Sequence, residues 1–123
     1  MAKNILVIDD DGLVSRSLCD LLHKNGFWAD ALDNGLDAIE KVEEIHLDLI
    51  VVDIRMPLIN GVETVKRIKE DLRSRHRKDI PVIFITGYTE AEINKEAREL
   101  GEVVFKPFEN ADILDCIRQY LKE

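Results

Sequence analysis

Apolar residues fall into two alternating patterns along this chain. Ile5-Leu6-Val7-Ile8, Leu49-Ile50-Val51-Val52, Val82-Ile83-Phe84-Ile85 and Val103-Val104-Phe105 are short unbroken runs. The run from Leu47 is too short to cross a membrane and too uniformly apolar for an exposed face. It reads as a strand buried on both sides, as in parallel sheets, and the other runs read as further strands. The third strand is read from Leu47 onward and stops before Pro57, and the fourth from Ile80, with Pro81 near its start where strands tolerate proline. Phe27-Trp28-Ala29-Asp30-Ala31 supplies a fifth strand, second in chain order.

Between these runs the apolar positions take helical spacing. Val14, Leu18, Leu21 and Leu22 mark a first helix, capped by Asp11 or Gly12 and closed by Asn25-Gly26. Leu36, Ile39, Val42 and Ile45 are expected on one face of a second. Val62, Val65, Ile68 and Leu72 follow the Asn60-Gly61 loop as a third. A fourth runs from Glu90 to Leu100. A fifth carries Ile113, Leu114, Ile117 and Leu121 on one side, with Asn110 as its expected cap.

Strand and helix alternate five times with no repeat, linker or low-complexity stretch. That order specifies an α/β fold, a parallel sheet with helices on both faces. Right-handed crossovers leave few topologies, and a doubly wound five-stranded sheet commonly takes the order 2-1-3-4-5, the flavodoxin-like arrangement. The chain direction reverses between strands 1 and 3, and open parallel sheets bind ligands outside the carboxyl ends of their strands at such a point.

The strand ends there are chemically marked. Strand 1 runs into Asp9-Asp10-Asp11, strand 3 ends on Asp53, strand 4 on Thr86 and strand 5 on Lys106. Crowded carboxylates repel and raise one another's pKa values. A hard divalent cation resolves that conflict, and magnesium suits carboxylates, carbonyl oxygens and retained waters. Metal, carboxylate, hydroxyl and ammonium together are the parts phosphoryl transfer uses. Each residue alone has a plain alternative: an acidic turn capping a helix, a β-branched strand residue, a surface lysine. Four strand ends marked in register favour a site.

Composition narrows the class. With 123 residues the chain fits one domain, and the expectation is a single domain over 1–123 with no output domain, either stand-alone or cut from a larger protein. A net charge of −8 argues against nonspecific binding to nucleic acid or an anionic membrane. The amino terminus lacks an apolar signal-peptide core, so a cytoplasmic protein is expected. Cys19 and Cys116 are far apart and lack metal-ligand spacing, and are expected to be reduced, small apolar residues. Arg73-Ser74-Arg75-His76-Arg77-Lys78 is a basic stretch that reads as a solvated helix end and loop.

Ile-Asp-Asp-Asp after the first strand, Val-Val-Asp-Ile-Arg-Met-Pro with Gly61 downstream, Ile-Thr-Gly and Phe-Lys-Pro-Phe resemble the receiver domain of two-component response regulators, over essentially the whole chain. The resemblance implies a phosphoacceptor switch. Asp53 would take a phosphoryl group from the phosphohistidine of a histidine kinase or phosphotransfer protein. Asp10 would ligate magnesium directly, Asp9 through water, Asp53 by its carboxylate and Arg55 by its backbone carbonyl. Lys106 would pair with the phosphoryl oxygens, and Thr86 would move to hydrogen-bond them. The Lys106-Pro107 bond is expected to be cis. The face of the fourth helix, fifth strand and fifth helix would signal to a downstream effector, with a phosphorylation-dependent dimer left open. The domain would catalyse only its own phosphorylation and slow dephosphorylation.

Two departures stand out. The interval from Gly101 to Lys106 is about two residues shorter than the family's usual one, set against ordinary loop lengths. Val103 occupies the family's switch-aromatic position, and Phe105 shares its strand parity one rung away. Two rival readings follow. Asp9-Asp10-Asp11-Gly12 also matches the Asp-x-Asp-Gly motif of haloacid-dehalogenase-like phosphatases, with Asp9 as nucleophile. The other rival is a receiver-like module that binds partners without phosphorylation.

Overall fold

The structure is a computed structural model that describes residues 2–87 and 91–122. Five strands alternate with five helices: β1 (Asn4–Ile8), α1 (Gly12–Lys24), β2 (Trp28–Leu32), α2 (Gly35–Glu44), β3 (Leu49–Asp53), α3 (Gly61–Ser74), β4 (Val82–Thr86), α4 (Ala91–Leu100), β5 (Glu102–Phe105) and α5 (Asn110–Leu121). All pairings are parallel and the sheet order is β2-β1-β3-β4-β5, as the alternation predicts.

Strand parity divides the core in two. Leu6, Ile8, Ile50, Val52, Val82 and Phe84 point to the face covered by Ala38 and Val42 of α2, Val62, Val65, Ile68 and Leu72 of α3, and Ala97 of α4. Their neighbours Ile5, Val7, Leu49, Val51, Ile83 and Ile85 point to the other face, under Leu18, Cys19 and Leu22 of α1 and Ile113, Leu114 and Ile117 of α5. Successive side chains of a strand alternate faces, so a strand covered on both sides must be apolar throughout. Burying each such side chain contributes roughly 1.5–3 kcal/mol. The central strands are therefore the rigid elements on which strand-end groups are held.

Local signals set most boundaries. Asp11 caps α1, its carboxylate accepting from the Leu13 and Val14 N–H groups at 3.0 and 3.4 Å. Asn25 caps the other end, and Gly26 follows at φ 86°, a conformation open to glycine. Asn34 and Asn60 cap α2 and α3 through their side-chain oxygens.

Other expectations are corrected. The cap of α5 is Glu109, without a side-chain hydrogen bond, and Asn110 is the first helical residue. Leu36 is exposed and does not share the buried face of α2, because Ala38 and Val42 hold the stripe. Ile45 is the cap residue beyond that helix, although it still packs on the core. β2 starts at Trp28 and runs on to Leu32, because Phe27 turns into the core and its N–H bonds the carbonyl of Leu22. β3 and β4 each begin two residues later than expected, since their lead-ins lie outside the paired register. The expected start of α4 at Glu90 lies outside the described residues.

Leu58, between β3 and α3, has φ 73° and an 82% exposed side chain. The left-handed region is unfavourable for a side chain with a Cβ, and here no packing offsets that. Leu58→Gly is expected to raise unfolding stability by roughly 0.5–1 kcal/mol in urea titrations. An unchanged or lower midpoint would show that the leucine side chain makes a stabilising contact.

Candidate functional site

Asp9, Asp10, Asp53, Thr86 and Lys106 all lie at the carboxyl ends of β1, β3, β4 and β5, where the strand order reverses and beside it. Sheet hydrogen bonds continue past the strands and hold these ends in place. The Asp9 N–H donates to the Leu32 carbonyl at 3.0 Å, Ile54 to Ile85 at 3.2 Å, and Lys106 to Thr86 at 2.8 Å. Asp9 and Asp53 are buried, at 1% and 6% exposure, Thr86 is fully buried and Asp10 is exposed.

Ligand oxygens of Asp9, Asp10 and Asp53 all fall within 4.8 Å of one another. Two of these carboxylates share a single cation: Lys106 Nζ lies 2.9 Å from Asp9 Oδ2 and 3.6 Å from Asp53 Oδ2. The other Asp9 oxygen accepts the Asp11 N–H at 2.9 Å. Asp53 is thus less firmly neutralised than Asp9. Burial chiefly, then the charge of Asp9, pushes its pKa up to about 6, while Lys106 pulls it back and Asp10 adds a smaller upward push. For Lys106, burial opposes the charged form, but the hydrogen bond to Asp9 and the charges of Asp53, Asp9 and Asp11 outweigh it and raise its pKa.

The donor set fits a hard divalent cation. One exposed and two buried carboxylates converge, and a single ammonium leaves them with net negative charge. Arg55, whose backbone carbonyl was an expected ligand, lies two residues beyond Asp53 in the turn leaving β3.

Gly61 matters to this geometry for a reason its sequence position does not reveal. Its N–H donates to the Ile54 carbonyl at 2.7 Å, and a Cβ there would collide with the backbone carbonyl of Asp53. Gly61→Ala is expected to destabilise the fold by about 1–3 kcal/mol by chemical denaturation. Backbone lies on both sides of that contact, so the end of β3 must shift. A variant with wild-type stability would mean that this loop yields freely.

The Lys106-Pro107 bond is cis, as expected. Beside Lys106, Leu13, Val14, Pro107 and Phe108 line a cleft of about 540 Å³ between α1 and the loop after β5. Val103 is partly buried against the core face that holds α3 and α4. Phe105 is 42% exposed with the Arg98 guanidinium 6.0 Å from its ring centroid, so it meets α4 on the same side, as its parity implies. The shortened interval is accommodated by starting β5 directly after Gly101, which packs on the Val82 backbone.

Sequence reasoning placed the strand-end residues but missed the Lys106–Asp9 pair, formed between residues 97 positions apart. It also missed the double use of the Asp11 region, whose carboxylate caps α1 while its N–H fixes Asp9. No helix among the described residues is long and apolar enough to cross a membrane.

The family model of the response regulator receiver domain matches residues 5–118. The chain is 32% identical over 123 residues to sporulation initiation phosphotransferase F of Bacillus subtilis (strain 168), covering 98% of this chain and 95% of that protein. It is 30% identical over 123 residues to the polar-differentiation response regulator DivK of Brucella ovis, covering 98% of each. A CheY-like receiver domain protein from Methanospirillum hungatei JF-1 superposes with a TM-score of 0.89 at 23% identity, covering 99% of this chain and 95% of that one, a likeness of fold. The chain belongs to the response regulator receiver domain family, signalling domains of two-component systems that work with a kinase or phosphotransfer partner.

Proposed function

We propose that Asp53 is the phosphoacceptor of this domain, with magnesium held by Asp9, Asp10, Asp53 and the Arg55 carbonyl. The observation that carries this reading is the position of Asp53: buried at the end of a central strand, 3.6 Å from the Lys106 ammonium, and without the closer ion pair that Asp9 has. A carboxylate oxygen of Asp53 attacks phosphorus, the oxygen–phosphorus bond forms, and the bond to the imidazole nitrogen of a phosphohistidine breaks with its electron pair left on that nitrogen. Magnesium, when bound, supplies positive charge against the phosphoryl oxygens and lets the three carboxylates stay ionised together.

Lys106 adds a second positive charge, already aimed between Asp9 and Asp53. Thr86, at the adjoining strand end, offers a hydroxyl to the phosphoryl group. Inward movement of Thr86 and Lys106 repacks the α4-β5-α5 face for a downstream effector, or for a second phosphorylated copy. Val103 and the Arg98-held Phe105 replace the usual aromatic on that face. The domain catalyses its own phosphorylation and slow, magnesium-dependent loss of the group, with no other substrate turned over.

The phosphatase reading loses ground on the same geometry. Both oxygens of Asp9 are engaged, one by Lys106 and one by the Asp11 N–H, which leaves it a poor nucleophile. Intact-mass measurement after incubation with acetyl phosphate tests the proposal. With magnesium the protein gains one phosphoryl group, and with EDTA it gains none. Equal uptake in EDTA overturns the magnesium assignment. No uptake from acetyl phosphate or a histidine kinase supports phosphorylation-independent partner binding instead.

A further inference from the structure

A second concavity lies at the opposite end of the sheet, away from the acidic cluster, and the phosphoacceptor chemistry does not use it. It has a volume of about 570 Å³ and sits below the amino-terminal ends of β1, β3 and β4, beside the end of α5. Leu47, Ile80 and Leu121 give it a buried apolar floor. Tyr120 forms a flat wall, 40% exposed, with its hydroxyl donating to Glu102 Oε1 at 3.1 Å. The rim is cationic, with Lys3, Arg77 and Lys78.

The two acids of the lining already have partners. Lys69 Nζ contacts both oxygens of Asp79 at 2.9 and 3.1 Å. Asp48 accepts the Asn4 N–H at 2.8 Å and lies 3.2 Å from His46 Nε2. Arg77 spends one donor on the Val42 carbonyl at 2.8 Å and keeps others. Among the described residues, Lys3 and Lys78 have no ion-pair partner. Basic groups near helix carboxyl ends offset the helix dipole, which accounts for Arg73 in the last turn of α3 and Arg77 on α2. It does not account for Lys3 and Lys78, which lie in the non-helical lead-ins to β1 and β4. They form a local positive excess on a chain of net charge −8.

We propose that this concavity binds a small organic anion with a flat apolar body. Lys3, Lys78 and Arg77 hold its phosphate or carboxylate, and the body lies on Tyr120 and the apolar floor. The volume falls within the range of about 300–1,000 Å³ usual for small-molecule sites, too small for a folded partner. The proposal is independent of the phosphoacceptor reading.

Amide NMR titrations of the labelled protein in EDTA test it, with adenosine monophosphate, phenyl phosphate and inorganic phosphate as probes. Saturable shifts are expected at residues 3, 46–48, 77–81 and 120–122 with the two organic phosphates. Inorganic phosphate should bind about tenfold more weakly or worse, having no body to bury. The Lys3→Glu/Lys78→Glu double variant should lose about tenfold or more in affinity, with uptake from acetyl phosphate unchanged. Tyr120→Ala should weaken adenosine monophosphate and leave inorganic phosphate unaffected. Shifts centred on residues 9–11 and 53, no saturable underside shift with any probe, equal binding of inorganic phosphate, or full affinity in the double variant would each overturn the assignment.

Discussion

Asp53→Ala is expected to take up no phosphoryl group from acetyl phosphate and magnesium under conditions in which the wild-type domain takes up one. The loss should reach on the order of 10³-fold or more, the scale for removing a nucleophile when no neighbour can replace it. No neighbour is free to do so. Asp9 is tied by Lys106 at 2.9 Å and by the Asp11 N–H at 2.9 Å, and Asp10, exposed beside them, is the proposed direct ligand of magnesium. Removing the Asp53 carboxylate also leaves Lys106 with Asp9 as its partner, which tightens the tie on the remaining buried acid. Intact mass reads uptake, and circular dichroism confirms that the variant is folded. An adduct that persists in Asp53→Ala and vanishes in Asp9→Ala would move the nucleophile to strand 1 and revive the phosphatase reading.

How much of this was legible in the sequence follows from how local each determinant is. Runs such as Ile5 to Ile8 and Leu49 to Val52 report burial on both faces, and the structure buries every one of those residues. The sheet order followed from alternation and crossover handedness. The marked strand ends then had to converge, because parallel strands all end on one side. What escaped was set by contacts between distant segments. The face of α2 was misread at Leu36 because Ala38, small and easily overlooked, makes the contact with the sheet layer. Asn110 looked like a cap, yet the chain enters α5 one residue earlier, at Glu109, after the cis Lys106-Pro107 turn. The resting partner of Lys106 depends on where two side chains meet across strands β1 and β5, which lie on either side of β3 and β4. Strand parity, a purely local rule, put Phe105 and Val103 on one face, and the Arg98 contact bears that out.

The buried strand end proposed to make Asp53 the phosphoacceptor also makes it a burden to the metal-free fold, so Asp53→Asn should stabilise the protein at neutral pH in EDTA. The folded-state pKa of Asp53 is raised to about 6 from an ordinary 3.8, by burial first and by Asp9 second. A raised carboxylate pKa means the folded state holds its proton more tightly than the unfolded state does. This group therefore favours folding most below the ordinary value, and that advantage is lost as pH rises from about 4 through about 6. Above about 6 the wild-type domain carries a constant penalty of up to about 3 kcal/mol, from a shift of about two units at 1.36 kcal/mol each. Asparagine resembles the protonated carboxyl: it is neutral, of similar shape, and its amide can donate to Asp9. The gain in unfolding free energy should be full at pH 7 to 8, shrink as pH falls through about 6, and vanish near about 4. Magnesium should stabilise the wild-type domain far more than Asp53→Asn, because the charge that burdens the fold in EDTA is the one proposed to bind the ion. Urea titrations across this pH range, with and without magnesium, decide the point. A variant less stable than wild type at pH 7.5 in EDTA, or a difference that does not change with pH, would mean that Lys106 already neutralises Asp53 and that the site carries no electrostatic strain.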